Sequence, residues 1–250
     1  MSTPRAPVEI LGVPVARLDV DAALDEIERL YDEPGPQLAV YVNAHTLNLA
    51  SVDGAYRDLL CRAGVVLGDG AGVMLAARMR GMPLPANLNG SDFNPLILQR
   101  AAARGWPAYL LGGRPGVADR AARRWKDAFP GLEIAGTADG FFPPDRSVDV
   151  AASIRSAGAG LVMAAMGNPL QERWLDEHLA ATGAQLGVGV GAFFDFSAGV
   201  VPRAPAWMNR AGIEWVYRLY QEPRRMWRRY VLGNPLFLLR VAKERFSGTG

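Results

Sequence analysis

The sequence is almost without cysteine, with Cys61 the only one in 250 residues. An intramolecular disulfide is thereby excluded, and with only two histidines, His45 and His178, no Cys/His zinc constellation can be assembled. A long apolar run is missing too. The tract at residues 231–239 is broken by Gly233, Asn234 and Pro235, far short of the about 20 apolar residues that span a bilayer. Any membrane contact is then peripheral, through an amphipathic surface. The chain does not open on a charged segment followed by an apolar one, which together with the lone thiol leads us to expect a protein of the cytosol. Internal repeats, low-complexity linkers and a G-x-S-x-G nucleophile elbow are absent as well, which leaves no support for a Ser-His-Asp hydrolase.

What is present is a core and an unevenly placed charge. Half of the residues are hydrophobic, enough to bury one substantial domain plus an appendage. Residues 201–250 hold ten Lys+Arg against three Asp+Glu, so the first 200 hold 17 against 22, a balance of +7 against −5. In that last stretch Arg203, Arg210, Arg218, Arg224, Arg225, Arg228 and Arg229 alternate with Trp207, Trp215, Tyr217, Trp227 and Tyr230. Guanidinium groups grip phosphates in pairs of hydrogen bonds, and Trp and Tyr settle at apolar–polar boundaries. The composition shift, marked by Pro202 and Pro205, sets the expected boundary between a catalytic domain, 1–200, and a basic helical appendage, 201–250.

Within residues 1–200, short apolar runs ending in Gly or Asp alternate with segments of helical periodicity. This predicts an α/β protein, a Rossmann-like and mainly parallel sheet flanked by helices. The expected strands cover residues 39–42, 64–67, 107–111, 133–136, 161–166 and 185–190. Helices are expected over 21–31, 117–129 and 169–181. Ligands of such sheets lie at the carboxyl ends of the strands, so the loops at 43–45, 68–72, 112–116, 167–172 and 189–195 carry the candidates.

Gly112 and Gly113 stand between a strand and a helix, where a diphosphate can approach backbone N–H groups; a tight turn without a ligand reads the same way. Gly189 and Gly191 followed by Asp195 offer a close-approach loop and then a carboxylate for a ribose hydroxyl, or simply an acid at a helix start. Asp69, between Gly68 and Gly70 after the run Val65-Val66-Leu67, projects at the ligand edge. There it is either a general base or the N-cap of the next helix. His45 is the other titratable group at that edge. The Asp19-Val20-Asp21 pattern imitates a metal-binding D-x-D, but its position at a strand-to-helix junction favours a helix cap by Asp21, and no metal site is expected.

Several blocks now fall into a known order: Asn43-Ala44, Gly68 through Val73, Asn89-Gly90-Ser91-Asp92, Leu110 through Gly113, Gly167 through Glu172, Gly189 through Asp195, Arg203-Ala204-Pro205, and Glu214 through Arg225. Spread in register along nearly the whole chain, they resemble the WecG/TagA/CpsF family of glycosyltransferases. The resemblance implies an inverting, metal-independent transfer of a hexose unit from a UDP-sugar, with no cofactor. The acceptor it implies is a saccharide on a polyprenyl diphosphate, met by a peripheral enzyme at the cytoplasmic face of the membrane during surface polysaccharide synthesis. It places Asp69 on the general base, Asn43 and Gln171 on pocket residues, Asp195 on a nucleotide contact, and Arg218, Arg225 and Arg228 on arginines that grip the acceptor diphosphate. A homo-oligomer is also within its range. Two positions depart from the family's usual residues: Tyr41 stands where Thr is usual, and Asn87 where Arg is. Losing a pocket cation and gaining a phenol opens the choice of donor to N-acetylmannosamine, its uronic acid or glucose.

Two other classes compete. A nicotinamide-dependent oxidoreductase shares the α/β alternation, but no complete dinucleotide fingerprint follows the first strand. A non-catalytic module that binds nucleotide or membrane, or one that binds nucleic acid, would use the arginines; the acidic first 200 residues argue against nucleic acid.

Overall fold

The computed structural model of the protein describes residues 5–205, 207–208 and 212–247, apart from the side chains of Arg225 and residues 245–247. A hairpin of β1 (Val8–Ile10) and β2 (Val13–Val15) opens the chain. Its turn residues, Leu11 and Gly12, both have positive φ, 52° and 76°, the twist that suits a two-residue hairpin. Strands of three residues leave too short an alternation to register in the sequence, and the hairpin was not among the expected elements.

The six expected strands all form: β3 (Gln37–Val42), β4 (Val65–Gly68), β5 (Ala108–Gly112), β6 (Ile134–Ala138), β7 (Leu161–Ala165) and β8 (Leu186–Gly189). They make one wholly parallel sheet in the order β4-β3-β8-β7-β5-β6. Sheets buried on both faces read as continuous apolar runs rather than alternations, which is why these strands were legible. Along β3, Val40 and Val42 enter the core on one face while Ala39 and Tyr41 enter the other, as a period of two requires.

Helices cover both faces: α1 (Val20–Asp32), α2 (Ala44–Ala50), α3 (Gly54–Arg62), α4 (Ala71–Met79), α5 (Gly90–Arg104), α6 (Val117–Ala128), α7 (Ser147–Ser156), α8 (Leu170–Thr182) and α9 (Phe193–Ser197). The cap of α1 falls on Asp19, whose carboxylate accepts from the Ala22 N–H at 2.9 Å, and not on Asp21, which lies within the first turn. The correction has a local cause: Asp19 has the extended backbone that an N-cap requires, φ −81° and ψ −178°. The Asp-x-Asp pattern is thus explained by a helix start.

Beyond residue 201 come α10 (Glu214–Gln221), α11 (Pro223–Trp227), a π-helical turn (Arg228–Leu232) and α12 (Gly233–Ser247). α12 returns to the body. Phe237 and Val241 are fully buried in the same core as Leu47, Ala50 and Val73. Asn48 donates to the Gly233 carbonyl at 2.7 Å, Arg240 donates to the Asn48 side chain at 2.7 Å, and the Leu11 N–H donates to Glu244 at 3.2 Å. The last strand ends at Gly189 and α9 at Ser197, and α12 is where the chain packs back against the body.

Candidate active site

A cleft of about 470 Å³ opens at the carboxyl ends of β4, β3, β8 and β7, the edge where ligands of open α/β sheets bind. Its volume suits a substrate-sized ligand. Asp69 follows β4 directly, half-buried, with its N–H bonded to the Val42 carbonyl at 2.8 Å. It does not cap α4: the cap position is Gly70, with no side-chain capping bond. Burial pushes the Asp69 carboxyl up to about 6, and the nearby Glu214 adds to the rise. Against these, Arg229, a hydrogen bond from Asn43, and Arg218 favour the ionised form. A carboxylate poised near 6 is largely ionised at neutral pH and more basic than an ordinary aspartate.

Asn43 is placed by a double duty. Its Oδ1 caps α2, accepting from the N–H groups of His45 at 3.0 Å and Thr46 at 3.1 Å, which leaves its amide nitrogen for Asp69. His45 also lines the cleft, but burial and the Arg229 charge push its imidazole down to about 4. It is neutral at physiological pH. Tyr41 lies at the floor, buried, donating to Asn94 Oδ1 at 2.7 Å, with its phenol held well above the usual range by burial and then by Asp69. Asn87 accepts the Gly70 N–H at 2.7 Å and so ties the 84–90 segment to the loop that carries Asp69.

Gln171 works from behind the cleft wall. It is buried, and its Oε1 accepts from the Gly167 and Gly191 N–H groups at 3.1 and 3.0 Å, joining the loops after β7 and β8. Its amide nitrogen donates to Glu172 at 2.7 Å. Glu172, also fully buried, further accepts from Asn168 at 2.6 Å and from the Tyr56 hydroxyl at 3.1 Å. Burial drives its carboxyl up to about 7 despite these donors. In the sequence Glu172 ends the Gly167–Glu172 block with no sign of a role. Nothing in a residue string shows that a helix-start glutamate faces the core.

The structure separates other candidates from the cleft. Gly112 and Gly113 are not in its lining. A Cβ on Gly112 would lie 2.5 Å from the Ala165 carbonyl oxygen, and one on Gly140 would lie 3.0 Å from the Gly112 Cα. These glycines permit close backbone packing at the ends of β5 and β7. Asp195 lies in the first turn of α9, half-buried, outside the lining, although its neighbours Phe193 and Phe196 are part of it.

The appendage closes one wall. Glu214, Trp215, Arg218, Met226, Arg229 and Tyr230 all line the cleft, and the Arg218 guanidinium sits 4.7 Å over the Phe196 ring. Arg228 instead lies exposed and stacks 5.4 Å from the Trp227 ring. The Arg225 side chain lies outside the described residues. In the sequence Arg229 is one of the alternating arginines and Glu214 opens a family block, and nothing there assigns either to the cleft. Glu222, at φ −128° and ψ 61°, breaks the helix between α10 and α11, so no single helical wheel relates Arg218 to the later arginines. Among the described residues no three His, Cys, Asp or Glu gather into a metal-holding group.

The profile of the glycosyl transferase WecG/TagA/CpsF family matches residues 8–250. The chain belongs to this family of glycosyltransferases. It is 30% identical over 236 residues to the N-acetylglucosaminyldiphosphoundecaprenol N-acetyl-beta-D-mannosaminyltransferase of Bacillus subtilis (strain 168), covering 94% of this chain and 91% of that protein. To the protein of the same name from Bacillus spizizenii (strain ATCC 23059 / NRRL B-14472 / W23) it is 34% identical over 193 residues, 77% of this chain and 74% of the other. Membership of the WecG/TagA/CpsF family explains why the quoted blocks converge: the Asn43, Asp69–Val73, Gly167–Gln171 and Gly189–Gly191 stretches all supply cleft residues. The Asn89–Asp92 block is architectural in part, since Asn89 caps α5 and Asp92 pairs with Arg203 of the Arg-Ala-Pro block.

Proposed function

We propose that the protein transfers a hexose unit from a UDP-sugar, with inversion and without a metal ion, to a saccharide carried on a polyprenyl diphosphate at a membrane surface. The observation that carries this reading is Asp69: a carboxylate at the cleft edge, oriented by Asn43, raised to about 6, and facing the guanidinium groups of Arg218 and Arg229 across one cavity. The relatives act, by their names, on an N-acetylglucosaminyl diphosphoundecaprenol.

In this reaction the acceptor hydroxyl oxygen bonds to the anomeric carbon while its proton passes to Asp69. The bond from that carbon to the β-phosphate oxygen breaks, and UDP leaves with the electron pair on the opposite face. Negative charge grows on the leaving diphosphate, and fixed cations in a partly enclosed cleft stabilise it most. Among the described residues, Arg218 and Arg229 are the cations of the lining. Gln171 acts by holding the loops after β7 and β8 at their spacing. Tyr41, with its hydroxyl committed to Asn94, and Asn87, committed to Gly70, shape the floor and rim without presenting a charge.

Contact with the membrane fits the outer side of the appendage. Trp227, Val231, Leu232, Leu236 and Leu239 are exposed together with Arg224 and Arg228, a mixture suited to an anionic lipid surface. No helix among the described residues is long and apolar enough to cross a membrane.

The test is UDP release from a panel of UDP-sugars with a lipid-diphosphate acceptor, with and without EDTA, run on the wild type and on Asp69→Asn. Acceptor-dependent release indifferent to EDTA is expected, and the variant should lose about 10²-fold or more in kcat with donor binding less affected. Wild-type turnover in Asp69→Asn would remove Asp69 from this role.

A further inference from the structure

Two acids and two arginines line the cleft among the described residues, and only one of the four belongs to the body. Residues before 201 contribute Asp69 and otherwise neutral groups: Tyr41, Asn43, Asn87, Gln171 and the imidazole of His45, which is unprotonated at neutral pH. Glu214, Arg218 and Arg229 all come from the appendage. The body therefore builds the base, and the appendage builds the charge that surrounds it.

Backbone packing fixes this placement. Gly212, at φ 71°, stands so close to α4 that a Cβ there would lie 3.2 Å from the Ala71 Cβ. Ala71 is two residues past Asp69, and Glu214 is two residues past Gly212, so the contact brings the two carboxylates to one end of the cleft. Arg218 lies one helical turn after Glu214 on the same face of α10, and its stacking on Phe196 anchors that face. Arg229, from the π-helical turn, completes the wall.

We propose that Glu214 and Arg229 are positioning residues that set the proton affinity of Asp69 from the appendage, Glu214 making the base stronger and Arg229 making it weaker. This deepens, and rests on, the reading of Asp69 as the base. A like charge sharing a partly desolvated site disfavours ionisation and a guanidinium favours it. The shift of Asp69 is consistent in sign: after burial, Glu214 is the largest contributor to the rise, and Arg229 the largest opposing one. The other groups facing Asp69 complete the accounting. Asn43 and Arg218 pull the same way as Arg229, while Tyr41 beside it and His45 in the same cleft are uncharged. The consequence is a base whose strength depends on the appendage being seated.

The experiment is a carbon-13 NMR titration of the Asp69 carboxyl in the full-length protein, for the wild type, Glu214→Gln and Arg229→Gln, with Asp69→Asn assigning the resonance. Glu214→Gln should lower the Asp69 pKa and Arg229→Gln should raise it, each by about half a pH unit or more. Glu214→Asp and Arg229→Lys, which keep the charge, should return it towards wild type. The acid limb of kcat/KM should move with the same signs. Shifts of the same sign in both neutral variants, or none in either, would overturn the proposal, because a merely structural role predicts no opposition. The titration needs no turnover, so it fails separately from the functional reading: a dead Asp69→Asn enzyme with unmoved titrations sinks this inference alone. An active Asp69→Asn enzyme with opposed shifts sinks only the assignment of the base.

Discussion

Glu172 shows how a single side chain can govern a site it does not touch. Its carboxyl is fully buried, receives hydrogen bonds from Tyr56, Asn168 and Gln171, and through Gln171 holds the two loops that wall the cleft. Its folded-state pKa, about 7, lies above that of an unfolded glutamate. The folded protein therefore binds this proton more tightly. The stabilisation is complete below the unfolded pKa and is lost as pH rises through about 7. Asp69, raised to about 6, has the same sign. We expect the thermal midpoint to decline from about pH 5 to about pH 8, and the decline to be shallower in Glu172→Gln, which cannot ionise. A gap between variant and wild type that stays constant across this range would show that Glu172 is not the titrating group. At this scale the sequence was half legible. The place of Asp69 at the cleft edge was legible because an acid after an apolar run and between glycines must project at the strand's end. The burial of Glu172 and the inward turn of Arg229 depend on contacts between elements distant along the chain.

Among the elements, α12 carries the largest surprise. Its sequence reads as a basic tail, yet Phe237 and Val241 are core residues, and Asn48 with Arg240 fixes the helix to α2. Phe237→Ala should destabilise the protein by about 3–5 kcal/mol. Urea unfolding followed by tryptophan fluorescence, with the m-value unchanged, is the check. A loss below about 1 kcal/mol would mean that α12 docks without contributing to the core. The buried strands were legible because sheets covered on both faces need unbroken apolar runs. The return of α12 was not, since two apolar residues four apart fit an amphipathic tail equally well. The N-terminal hairpin escaped for the simpler reason that its strands have three residues each.

For the whole molecule, the division of labour between body and appendage is the main lesson. The charge asymmetry visible in the composition becomes, in the fold, a cleft to which the body gives one carboxylate, Asp69, walled by Glu214, Arg218 and Arg229 of the appendage, with Trp227, Leu232, Leu236, Leu239, Arg224 and Arg228 exposed. If these exposed residues meet the membrane, Leu232→Ser, Leu236→Ser and Leu239→Ser together should markedly reduce pelleting with anionic vesicles while leaving the circular dichroism spectrum intact. Pelleting equal to wild type would detach the appendage from that role. The α/β architecture was legible throughout, and the position of the cleft followed from it. The link between the N-terminal hairpin and α12, through the Leu11 hydrogen bond to Glu244, could not be read from composition.

The central place of β8 and the late arrival of α12 impose an order on biosynthesis. A chain emerging from the ribosome cannot join β3 to β7 until residues 186–189 have appeared, because β8 lies between them. Even then it presents bare apolar surface around Leu47, Ala50 and Val73 until Phe237 and Val241 cover it. Nascent chains stalled before residue 237 should therefore be the ones that chaperones hold and proteases cut.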